Sequence, residues 1–134
     1  MIYRIDVRIT AQVNDTEVTD RVTDAITNLF PEAEIESHPG ELVATCHSMD
    51  HFSERLHEQA ILDTARGAFF GGREGDTLSF KLKKQAAFRD VVNFAVGGDS
   101  ELGDVHVRVR VHDPDVESFV DHVAPKTEDG RPIE

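Results

Sequence analysis

Residues Gln59–Phe94 read QAILDTARGAFFGGREGDTLSFKLKKQAAFRDVVNF, and this stretch decides the fold. Apolar residues Ala60, Ile61, Ala65, Ala68 and Phe69 recur at helical spacing up to Gly71-Gly72, a pair that stops a helix. From Asp76 to Lys83 the period becomes two, with Leu78, Phe80 and Leu82 facing one way and Ser79, Lys81 and Lys83 the other. The glycines therefore lie between a helix and a strand, the wrong order for a strand-to-helix phosphate cradle. The charge pattern also breaks here. Five cations (Arg73, Lys81, Lys83, Lys84, Arg89) face two anions (Glu74, Asp76), in a chain whose formal net charge is −12. A basic island in an acidic chain is a clue to binding a polyanion, and not to catalysis.

Working outward, Ile5, Val7, Ile9, Ala11 and Val13 alternate with Arg4, Asp6, Arg8 and Thr10, which predicts a half-buried strand at the start of the chain. Asn14 with Glu17 predicts a helix opening, followed by an apolar face of Val18, Val22, Ala25, Ile26, Leu29 and Phe30 that Pro31 ends. Ala33–Ser37 and Leu42–Cys46 form a hairpin about His38-Pro39-Gly40-Glu41. Ser48 then caps one long helix carrying Phe52 and Leu56 through Phe69, the longest of the chain. Gln85–Phe88 makes one helical turn, Val91–Val96 a further strand or an extension of that turn, and Gly97–Ser100 a loop. Val105, Val107, Val109 and Val111 alternate with His106, Arg108 and Arg110 in the clearest strand of all, and Asp113-Pro114 opens a last helix with Val116, Phe119, Val120 and Val123 on its dry face.

The element order contains no repeated strand-helix-strand phosphate motif and gives an α+β fold. Strands with one apolar face call for helices on that face only, hence a mixed, mostly antiparallel sheet with helices packed on one face and a solvated surface on the other. If the Asp76–Lys83 and Val105–Val111 strands are neighbours, Lys81, Lys83, Arg108 and Arg110 share the open face. Residues 1–124 are expected to form one domain, and residues 125–134 a disordered tail.

Composition narrows the function classes. Acidic residues outnumber basic ones 26 to 14, with lysine scarce, a balance that suits a high-salt interior where charge repulsion is screened. The single cysteine, Cys46, excludes an internal disulfide, and the chain opens on a strand pattern instead of a secretion signal, so a cytoplasmic location is expected. No apolar run approaches the roughly 20 residues of a spanning helix. Cys46, His47 and His51 come nearest to metal-ligand spacing, but no second cluster completes a site, so neither metal nor cofactor is expected. A nucleophile elbow, a Walker loop and a dinucleotide fingerprint are all missing, and the chain reads as a non-enzyme.

Ala60-Ile61-Leu62-Asp63-Thr64-Ala65-Arg66 and Leu82-Lys83-Lys84-Gln85-Ala86-Ala87-Phe88, followed by Val92-Asn93-Phe94, resemble the two signatures of a small archaeal family. That family is described as predicted RNA-binding proteins with a fold like a double-stranded-RNA-binding domain, related to a subunit proposed for the archaeal exosome. The resemblance implies an α+β architecture similar to that of the ribosomal protein that binds five-S RNA, and an RNA-processing accessory role without a demonstrated activity. Arg66, Arg73, Lys81, Lys83, Lys84 and Arg89 are the candidate phosphate contacts, with Gln85 and Asn93 as hydrogen-bond partners for sugar or base. The competing readings are a solvated strand edge whose lysines deter aggregation, and a protein-interaction module that acts as a homodimer. Asp63 and Arg66, three apart on a helix, are expected to pair with each other.

Overall fold

Period-two alternation is realised first in β1 (Arg4–Gln12), where Ile5, Val7, Ile9 and Ala11 are buried while Arg4, Asp6 and Arg8 are exposed. The computed structural model describes residues 3–95, 103–128 and 131–132. After β1 come α1 (Thr19–Leu29), the hairpin β2 (Glu34–His38) and β3 (Glu41–Cys46), α2 (Asp50–Glu58) and α3 (Leu62–Gly71). A two-residue β4 (Arg73–Glu74) leads into β5 (Thr77–Lys83), the single turn α4 (Lys84–Ala87), β6 (Asp104–Asp113) and α5 (Val116–Val123). Within the segment assigned to a tail, β7 (Thr127–Glu128) pairs with β8 (Arg131–Pro132).

The main sheet runs β2-β3-β1-β6-β5-β4, and each of its described pairings is antiparallel. Its central position goes to β1 and β6, the two strands with the cleanest alternation, and each is buried on one face only. The helices supply the other half of the core. Phe30, Phe52, Phe69, Phe80 and Phe94 come from five separate segments of the chain and interlock through ring centroids 5.1–6.3 Å apart. Each such ring stabilises the fold by roughly 1.5–3 kcal/mol on burial.

The expected long helix is two helices. At Ala60 the chain turns to φ 57°, and Ile61 N–H donates to Leu56 O (3.1 Å) while Ala60 N–H donates to His57 O (3.1 Å). That double bond is a Schellman stop, normally built with glycine at the left-handed position. Ala60 is therefore exposed, and the apolar face restarts one step out of phase at Leu62.

Three helix starts also shift. Glu17 does reach back to Asn14 N–H (2.9 Å), but as a turn ahead of α1, whose own cap position is Val18. Ser48 accepts from Asp50 N–H (3.2 Å) one residue ahead of Met49, the cap position of α2. The last helix is capped by Asp115, which accepts from Ser118 N–H at 2.7 Å, and not by Asp113. Of the expected Val91–Val96 strand, the described part holds one bridge, Phe94 to Leu82; Val96 and the Gly97–Ser100 loop lie outside the described residues.

Candidate nucleic-acid interface

The open face is built by register. Because β1 and β6 pair antiparallel, Arg8 stands directly opposite Arg108, and Thr10 opposite His106. Because β6 also pairs with β5, Arg108 meets Ser79 and His106 meets Lys81. The two later strands are thus neighbours, the condition that alternation alone left open, and Lys81, Lys83, Arg108 and Arg110 lie on one face. Two residues the sequence reading did not select, Arg8 and His106, complete the group. Their outward position was legible in the alternation, whereas the pairing of residue 8 with residue 108 is a long-range fact that no local pattern carries.

Like charges set directly opposite on a sheet repel, and Arg8 with Arg108 is such a pair. Among the described residues no carboxylate pairs with Arg8, Lys81 or Arg108. The same face is neutralised at its borders. Toward one end Arg110 pairs with Asp76 (3.5 Å), Arg4 with Asp113 (3.5 Å), and Asp6 bridges His112 (2.7 Å) and His47 (3.1 Å). The hydrogen bond from His112 holds the Asp6 carboxyl below the usual aspartate range. Toward the far edge β2 presents Glu34 and Glu36 on this face, opposite Thr45 and Val43 of β3. Positive charge is left concentrated over the middle of β1, β6 and β5.

The basic segment itself does not form one surface. Arg66 is largely covered and donates to Asp121 (2.7 Å) and to Ala124 O (2.9 Å), which fastens α3 to α5 instead of pairing with Asp63. Asp63 accepts from the Thr127 hydroxyl. Arg73 is taken by Glu117 at 2.6 Å, a contact that holds the Glu117 carboxyl below its ordinary range. Lys84 is buried, its Nζ bonded to Gln12 O (2.7 Å) and to a Glu17 carboxylate that is itself 7% exposed (3.0 Å). Lys83, Gln85, Arg89 and Asn93 are exposed, and Lys81 is half-buried beside the sheet cations. Asn93 contributes its carbonyl to Lys83 N–H (2.8 Å), and Gln59 clamps Val92 through both its amide N–H and its carbonyl oxygen (2.8 Å each). Most of the signature residues thus hold elements together.

Cys46, His47 and His51 diverge. The Cys46 thiol points to Ser48 O (3.6 Å) and burial pushes its pKa up, His47 turns to Asp6, and His51 lies near Glu54 and Asp90. Among the described residues no group of three or more His, Cys, Asp or Glu side chains gathers to hold a metal. No described helix is long and apolar enough to cross a membrane.

A family model described as RNA binding matches residues 6–112, from within β1 to within β6, so it takes in part or all of every strand of the main sheet. A UPF0201 protein of Thermococcus kodakarensis is 39% identical over 96% of this chain and 96% of its own. The chain belongs to the archaeal UPF0201 family. A UPF0200/UPF0201 protein of Archaeoglobus fulgidus is 38% identical, and there the chain spans 96% of its own length but only 40% of its relative's. The crystal structure of a UPF0201 protein from Methanococcus jannaschii shares 32% identity and superposes with a TM-score of 0.88, covering 96% of this chain and 99% of that one.

Proposed function

We propose that this UPF0201 protein binds RNA as a non-catalytic accessory factor, through the open face of its sheet. The observation that carries this reading is the opposed pair Arg8 and Arg108, with Lys81 and His106 beside it and no carboxylate partner among the described residues. In a chain of net charge −12, like charges placed face to face are an unfavourable arrangement that an incoming phosphate backbone relieves. The match of the RNA-binding family model supports the ligand class. A cytoplasmic location, and a role beside the RNA-degrading assembly that the resemblance implies, are part of the same proposal.

The acid excess is read as adaptation to high salt, which weakens phosphate contacts because counterion release contributes less as salt rises. Stability that rises between dilute buffer and molar potassium chloride supports this adaptation, and equal melting in both overturns it. Filter retention of RNA, titrated with salt, tests the site. Arg8→Glu with Arg108→Glu is expected to abolish retention, and each lost phosphate contact to lower the log–log salt slope by about 1. Retention equal to that of the unaltered protein removes the open face from the reading.

A further inference from the structure

We infer that the RNA bound on this face is an unpaired strand, one base of which enters a cleft at the outer edge of β5; the inference rests on the RNA-binding reading above. The cleft has a volume of about 800 Å³, within the range of small-ligand sites. Its lining combines Arg8, Lys81, His106 and Arg108 with Phe80, Phe94 and neighbouring small residues. Two chain crossings make the recess. At one end Ser79 N–H donates to Gly72 O (3.1 Å), and a side chain at Gly72 would put its Cβ 1.8 Å from Ser79 O, so only glycine lets the end of α3 close against β5. At the other end Ala95 N–H donates to Lys81 O (2.9 Å). β4 covers only the Thr77–Leu78 end of β5, and the recess opens beyond it.

Cations beside an apolar hollow match a nucleotide with its base turned away from its phosphate. A duplex keeps its bases stacked and paired, and offers this face only phosphates and 2′-hydroxyls; an unpaired strand can splay one base into the hollow. The outward positions of β1, β5 and β6 (Arg4, Asp6, Arg8, Thr10, Gln12; Thr77, Ser79, Lys81, Lys83; Asp104, His106, Arg108, Arg110, His112) include no phenylalanine, tyrosine or tryptophan. Base contact therefore falls to the cleft and not to stacking across the sheet.

Gly71 gives a clean test. It closes α3, lines the cleft, and a Cβ built on it meets nothing within 4 Å. Gly71→Leu adds bulk at the lining without removing a contact, and Ala68→Leu, one turn earlier on the same lining, adds it independently. Fluorescence anisotropy compares a single-stranded oligoribonucleotide with a blunt RNA duplex of equal phosphate number. The unaltered protein is expected to favour the single strand by roughly tenfold, and either leucine variant, folded by circular dichroism, to fall to the duplex affinity with its salt slope unchanged. Equal or tighter duplex binding by the unaltered protein, or full single-strand affinity in both leucine variants, overturns the inference and leaves the RNA reading standing. Retention of neither RNA overturns both.

Discussion

The cations of this protein live in two different surroundings. On the helical side Arg66, Arg73 and Lys84 each meet a carboxylate, at 2.7, 2.6 and 3.0 Å, and each joins elements distant in sequence. On the open face Arg8 and Arg108 meet each other. The first group is concentrated in the sequence and dispersed in space; the second is dispersed in the sequence and concentrated in space. Proximity along the chain is therefore a poor guide to a binding surface in an antiparallel sheet, where register brings residue 8 to residue 108. What marks the open-face group as available is the missing counter-charge, a property visible only after folding.

The sharpest way to break this contrast is to treat a helical-side cation as though it were a ligand contact. Lys84→Met keeps the shape of the stem but strands the buried Glu17 carboxylate, and the expected cost is about 3–5 kcal/mol of stability. RNA retention by the fraction still folded should not change. Adding Glu17→Gln removes the stranded charge and should recover part of the loss, which denaturant unfolding of the three proteins measures. Lower RNA affinity in Lys84→Met at unchanged stability would erase the distinction between the two groups. Next in size, Arg66→Ala leaves Ala124 O and Asp121 without their donor and should cost about 1–2 kcal/mol, again without effect on RNA. The reverse pattern is expected for Arg108→Glu alone: unfolding within about 0.5 kcal/mol of the unaltered protein, because the site is exposed, and RNA affinity clearly reduced.

The fold was legible wherever one periodicity ran uninterrupted. Val105–Val111 and Leu78–Leu82 each carry strict alternation, and both became strands with the expected inward faces. The long helix was not legible, because alanine is the strongest helix former and Ala60 nevertheless takes the left-handed stop between α2 and α3. Nothing local distinguishes that alanine from Ala65, which is buried inside α3. The candidate site was half legible. Alternation placed Lys81 and Arg108 outward, yet the burial of Lys84 depends on Gln12 O and Glu17, which lie some 70 residues earlier and reach it only through the β1–β6–β5 order. A run of lysines reads as solvated until the fold supplies an acceptor for one of them.

The smallest expected effect concerns Asp6, the carboxylate that borders the unpaired cations. Its pKa is lowered chiefly by the hydrogen bond to His112, so folding favours its charged form. Such a group contributes stability above the ordinary aspartate value near 3.8 and loses it as pH falls through the lower folded value. Asp115, held down by the Ser118 N–H, and Glu117, held down by Arg73, act in the same direction. Asp6→Asn should therefore lower the melting temperature slightly at pH 6, and the difference should shrink as pH falls below 3.8 and through the lowered folded value. At pH 6 the same substitution removes a negative charge beside Arg8 and Arg108, so RNA affinity should rise while stability falls. A drop in both would mean that Asp6 positions the ligand through His112 and His47 instead of bounding the cationic field.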